Sequence, residues 1–97
     1  MNVRIKPSDL QYRYPRRKET RDLPKFQGKP DPHPFDRDDL YEVVPMFEAV
    51  MDELGTVDGL VLHRLEDILN NEIPRFIGTR EEVFDCLVAA MRDVFHP

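Results

Sequence analysis

Apolar residues recur at three- and four-residue steps through the second part of the chain, the spacing of one face of an α-helix. Three such stripes predict helices over about 39–54, 57–71 and 80–95. Because short loops join them, the predicted fold is an all-α, antiparallel three-helix bundle over residues 36–97. Four residues near the centres of the stripes are predicted to be buried: Phe47, Leu65, Phe84 and Leu87.

The first predicted helix carries signals at both ends. Asp39 followed by Glu42 is suited to cap its start, and Gly55 is suited to end it in a left-handed conformation. Pro45 falls inside the stripe, where it lacks the amide donor of a helical residue. The pattern favours a helix that continues past Pro45 with a bend. The alternative is that Pro45 lies in the true first turn, after an irregular entry over residues 38–44.

The later helices have their own start signals. Thr56 is predicted as the N-cap of the second helix, with Val57 at the beginning of its apolar face. The capping box from Thr79 to Glu82 predicts the start of the third. Between them, Phe76 and Ile77 are predicted to close one end of the core. Five polar residues of the second helix are expected to lie mostly outside its apolar face: His63, Arg64, Glu66, Asp67 and Asn70.

Residues 1–35 differ in composition, since they hold six of the nine prolines. Proline removes an amide donor and biases its predecessor toward extended geometry, which predicts an extended N-terminal arm. An alternative for residues 2–14 is a short hairpin. There Val3 and Ile5 alternate with polar residues, and Pro7 begins a turn before a second alternating run. An isolated hairpin is marginal in water, so it would need the bundle to pack against.

Charge follows the same division. Residues 1–35 carry nine Lys/Arg against four Asp/Glu, a net charge of +5, whereas residues 36–97 carry five against fifteen, a net charge of -10. A basic arm can therefore fold back over its own acidic domain or over a neighbouring copy, which would be self-association.

The residue inventory gives little support to catalysis. Ser8 is the only serine and lies in the proline-rich arm, and Cys86 is the only cysteine. The sequence therefore predicts a non-enzymatic protein without a cofactor or a metal site, and a lone cysteine fits the cytoplasm. Residues 31–39 include a histidine and several carboxylates but match no calcium loop. They are expected to form a solvated, acidic lead-in to the first helix. No apolar run is long enough to span a membrane.

The best functional candidate is the basic, aromatic run that follows residue 11. Its predicted partner-binding residues are Tyr12, Arg13, Tyr14, Arg16, Arg17 and Lys18. Such a segment can order on a partner protein, which predicts an interaction or adaptor module acting through the arm and the acidic helical surface. The alternative is a nucleic-acid-associated accessory protein, because cations neutralise phosphates and tyrosines stack on unpaired bases.

One stretch of the helical region resembles a known family. Residues 54–74, which end in Glu72-Ile73-Pro74 and precede a capped helix, are similar to acyl carrier proteins. Those proteins are four-helix domains that carry a prosthetic arm on a serine at the start of a helix. The corresponding residues 57–60 include no serine, so the resemblance implies no cofactor here.

Overall fold

The computed structural model describes residues 4–12, 14, 34–37 and 39–95. Within these residues three α-helices form the predicted antiparallel bundle. They are α1 (Leu40–Leu54), α2 (Gly59–Asn71) and α3 (Arg80–Phe95). The all-α fold class is therefore confirmed. None of the described helices is long and apolar enough to cross a membrane.

The three apolar stripes meet in a single core. Phe47, Leu65 and Leu87 are fully buried and Phe84 nearly so, which confirms the predicted core. Burying a side chain of this size contributes about 1.5–3 kcal/mol, so the stripes supply the main driving force for the fold. Ile5 and Phe35, which precede the helices, also belong to this core.

Helix α1 begins and ends as predicted. The carboxylate of Asp39 accepts a hydrogen bond from the amide of Tyr41 at 3.0 Å. At the other end Gly55 has a φ of 72°, and the amides of Gly55 and Thr56 donate to carbonyls of the last helical turn. The helix is continuous through Pro45, as expected. Buried residues before and after Pro45 pack in the core, and this packing outweighs the one backbone hydrogen bond that proline cannot donate.

The predicted start of α2 is wrong by two residues. Asp58, not Thr56, is the N-cap, and its carboxylate accepts from the amide of Leu60 at 2.9 Å. The Thr56 hydroxyl accepts from the amide of Asp58 and so closes the turn before the helix. Val57 consequently lies outside the helix and is 69% exposed.

The start of α3 has the predicted capping box. The Thr79 hydroxyl accepts from the amide of Glu82 at 3.2 Å and donates to the Glu82 carboxylate at 2.8 Å. The loop before it departs from expectation, because Phe76 is 85% exposed while Ile77 is half-buried against the core. Ile73, at the end of α2, is buried and closes this end of the core instead of Phe76.

Of the solvated lead-in expected over residues 31–39, the structure describes 34–37 and 39, and these residues pack against the bundle. The amide of Phe35 donates to the carbonyl of Gly78 at 2.7 Å, which ties this segment to the loop before α3. Arg37 and Asp39 are buried. The Arg37 guanidinium donates to four carbonyl oxygens in the last turn of α2 and the loop after it, those of Leu69, Ile73, Pro74 and Ile77. A cation is favoured at a helix C-terminus, so the segment is buried against that end of α2.

We call residues 4–14 the strap; all of them except Arg13 are described. The strap does not form the hairpin considered for residues 2–14, since its described residues hold one 3₁₀ turn, Pro7–Asp9, and no strand. The turn is closed at both ends by bonds between Lys6 and Asp9. A hairpin would pair its amides across two strands, whereas amides of the strap donate to carboxylates of α1 and α2.

Candidate functional site

The strap crosses the bundle from α1 to α2 and is held by acidic side chains. Its first anchor is Ile5, whose side chain is buried and whose amide donates to the Glu48 carboxylate of α1 at 2.8 Å. Further along, Asp9 presents its carbonyl to His63 of α2 at 3.0 Å from Nε2. A carbonyl oxygen only accepts, so His63 donates from Nε2 in this contact.

Glu66 of α2 is the centre of the contact. Its side chain is fully buried. The carboxylate accepts from the amides of Gln11 and Tyr12, at 2.8 Å and 3.1 Å, and from the Tyr14 hydroxyl at 3.0 Å. An ionised carboxylate that is removed from water needs such donors, so burial of Glu66 and docking of the strap depend on each other.

Asp67 provides a second, more exposed acceptor beside Glu66. It accepts from the Gln11 side chain at 3.1 Å and from the Tyr12 hydroxyl at 2.8 Å. The bond to Asp67 is the main reason why the pKa of Tyr12 lies above its ordinary value. Gln11 also donates to the carbonyl of His63, so one strap side chain contacts two successive turns of α2.

Tyr14 is the most enclosed aromatic residue of the strap. Its hydroxyl donates to Glu66 and accepts from the Asn70 side-chain amide at 3.1 Å. Burial raises the pKa of Tyr14 well above its usual range; the bond from Asn70 opposes the rise and the negative charge of Glu66 adds to it. The phenol is therefore held in its neutral, donating form.

The α2 contacts form a polar stripe beside the apolar one. His63, Glu66, Asp67 and Asn70 recur at three- and four-residue steps, so they share one face of the helix. The stripe offers carboxylates that accept from main-chain amides and hydroxyls, which is chemistry for binding an extended segment. Within the described part of the chain no three His, Cys, Asp or Glu side chains are placed to hold a metal ion.

Two of the six predicted partner-binding residues can be placed. Tyr12 and Tyr14 both pack against α2, and their hydroxyls donate hydrogen bonds to Asp67 and Glu66 of the same chain. Arg13, Arg16, Arg17 and Lys18 lie outside the described residues. The idea that the arm folds back over its own acidic domain thus holds for the strap, although the contacts seen are made by uncharged donors.

Glu66 was expected to lie mostly outside the apolar face, but its side chain is fully buried. A signal was present, because Glu66 lies four residues after Leu62 and three before Leu69, and both leucines are buried. Gln11 and Glu48 gave no comparable signal. Their importance comes from main-chain and long-range contacts that periodicity does not report.

Comparison with protein-family models, with curated proteins and with solved structures gives no match to this chain.

Proposed function

We propose that this protein is a small, non-catalytic interaction module of the cytoplasm that binds a partner protein through its basic segment and its acidic helical surface. The observation that carries the proposal is the fully buried Glu66, whose carboxylate binds two main-chain amides and a tyrosine hydroxyl of an extended segment. An acidic helix face of this kind is suited to recognising polypeptide.

The basic run supplies the second half of the proposal. Arg16, Arg17 and Lys18 follow the strap directly in sequence, just after Tyr14, which lies on α2. The strap itself uses amides and hydroxyls for the contacts described above. These cations are therefore the natural contacts for an acidic partner, and their charge would speed its association.

The alternative partner is a nucleic acid. Stacking on a base requires a free ring face. Tyr14 is half-buried and its hydroxyl donates to Glu66, so its ring is less suited to stacking on a base than to packing against protein. Tyr12 is more exposed, at 36%.

A cross-linked capture experiment in cells tests the proposal. The full chain is compared with R16Q/R17Q/K18Q and with the matched control R64Q/R75Q/R92Q, which removes three cations from the bundle surface. We expect a protein partner to be retained by the wild type and the control and reduced about tenfold by the first variant. Nuclease treatment should leave the capture unchanged.

Two results would contradict the proposal. One is equal capture by all three chains. The other is loss of the captured material on nuclease treatment, together with binding to single-stranded oligonucleotides that weakens steeply with salt. That combination would support the nucleic-acid alternative.

A further inference from the structure

We propose that the strap site is a receptor for extended peptide segments, that the strap occupies it in cis, and that a partner protein binds by supplying a segment of the same chemistry in trans. The strap site consists of Glu48 on α1 and of His63, Glu66, Asp67 and Asn70 on α2. This inference rests on the proposed function and specifies its partner.

Part of the recognition of the strap is recognition of its main chain. Three of its amides donate to Glu48 and Glu66, and its Asp9 carbonyl accepts from His63. Every residue except proline presents the same amide and carbonyl, so these contacts tolerate many sequences. Side chains add selectivity: Ile5 packs in the core, Gln11 and Tyr12 bond to Asp67, and Tyr14 bonds to Glu66.

The requirement for donors at Glu66 makes the site selective. Its carboxylate is fully buried when the strap is bound, so a replacement segment must also bring hydrogen-bond donors to it. The described donors, Gln11, Tyr12 and Tyr14, are all uncharged. No ion pair between them and Glu66 has to be broken during exchange, which favours replacement of one segment by another.

The connection between the strap and the bundle also favours exchange. Residues 15–33 separate the last strap residue from the segment that leads into α1. Because the strap and its site belong to one chain, their association is intramolecular. The strap therefore competes by local concentration, and a partner segment of sufficient affinity displaces it.

The contacts define the partner segment. It carries a branched aliphatic residue at the position of Ile5, two consecutive residues with free amides at the positions of Gln11 and Tyr12, and a tyrosine at the position of Tyr14. Proline is excluded from the middle pair because it has no amide donor. Acidic residues are disfavoured there because Glu66 and Asp67 would repel them.

A fluorescent peptide with the sequence of residues 4–14 tests the proposal on the full chain. In wild type the strap competes with the peptide, whereas in Q11P/Y14F the strap has lost two donors to Glu66. We expect the peptide to bind this variant about tenfold more tightly than wild type. A peptide carrying the same two changes should bind neither chain, and adding E66Q to the variant should abolish binding of the original peptide.

A second measurement needs no substitution. In isotopically labelled wild-type chain, an excess of unlabelled peptide should accelerate hydrogen exchange of the Gln11 and Tyr12 amides, because the strap is displaced. The core amides of α2 should stay protected. Exchange that does not change at saturating peptide, or equal affinity of the peptide for wild type and Q11P/Y14F, would overturn the proposal.

This experiment is independent of the capture experiment, because it contains no partner protein. If the peptide displaces the strap but no partner protein is captured, the proposed function is refuted and the receptor site still stands. Capture through the basic run without peptide exchange refutes the receptor site and leaves the proposed function.

Discussion

Two glutamates of the bundle are buried and are stabilised in different ways. Glu42 of α1 is 5% exposed and pairs with Arg80 of α3, whose guanidinium approaches both carboxylate oxygens at 2.9 Å. Glu66 of α2 is fully buried, and its described donors are two amides and a hydroxyl of the strap. The first carboxylate is matched by a charge from within the bundle. The second is matched by neutral groups from outside it.

The two sites differ in whether the carboxylate and its partners can come apart without opening the bundle. Glu42 and Arg80 lie on helices whose apolar faces share one core, so the pair opens only when the bundle opens. The strap is anchored in the core chiefly by Ile5, with Leu10 and Tyr14 packed at its margin. In the exchange proposed above, release of the strap would expose Glu66 to water, whereas Glu42 would stay paired within the bundle. One site is therefore structural, and the other is suited to reversible binding.

The largest effect is expected from breaking the charged pair. Arg80→Gln leaves the buried Glu42 carboxylate without its counter-charge, so the free energy of unfolding should fall by about 3–5 kcal/mol. Urea denaturation measures the change. The double variant Glu42→Gln/Arg80→Gln should recover much of the loss, because it leaves no uncompensated charge. A loss below about 1 kcal/mol in the single variant would indicate a pair with the strength of a surface ion pair.

A smaller effect is expected at the strap site. Glu66→Gln turns one acceptor into a donor that faces the strap, and the free energy of unfolding should fall by about 1–3 kcal/mol. We expect a limited loss, because release of the strap would leave the side chain in water. The helices should still melt cooperatively, while hydrogen exchange of the Gln11 and Tyr12 amides accelerates.

Glu72→Gln is the matched control for that substitution. Glu72 is half-exposed at the end of α2 and pairs with Arg64 at 3.3 Å. Exposed pairs contribute about 0–1 kcal/mol, so this variant should resemble wild type in both stability and strap exchange. If Glu66→Gln behaves like Glu72→Gln, the strap does not depend on the buried carboxylate.

The helices could be predicted from the sequence because each of their determinants is local. The three- and four-residue spacing of apolar residues located all three helices. Gly55 correctly marked the end of α1, and the Thr79 capping box correctly marked the start of α3. The start of α2 was misplaced because Thr56 and Asp58 are both good capping residues. Local preference alone does not decide between them. The structure shows that Asp58 caps the helix while Thr56 caps the turn before it.

The candidate site was harder to predict because its contacts join distant parts of the chain. The aromatic run was predicted to bind a partner, and folding of the basic arm back over the acidic domain was considered as well, but the side chains of α2 that contact Tyr12 and Tyr14 were not predicted. Glu66 is buried because amides of residues 11 and 12 satisfy it, and main-chain donors carry no sequence signal. Arg37 shows the same limit, since its partners are four carbonyls.

The smallest effect, and the sharpest test of the contact between Glu66 and uncharged donors, concerns the phenol of Tyr14. Tyr14→Phe removes one hydrogen bond to Glu66 and should lower the free energy of unfolding by about 1 kcal/mol at neutral pH.

In the folded chain the pKa of Tyr14 is raised above its ordinary value of 10.0. The folded state therefore keeps this proton where the unfolded state loses it, so the contribution is complete below about pH 10 and declines as pH rises further. The stability difference between wild type and Tyr14→Phe should accordingly narrow as the pH rises above about 10. Chemical denaturation across this range measures the difference, and tyrosinate absorbance should show that the variant lacks a late-ionising phenol. A difference that stays constant with pH would mean that the hydroxyl of Tyr14 is not held by Glu66.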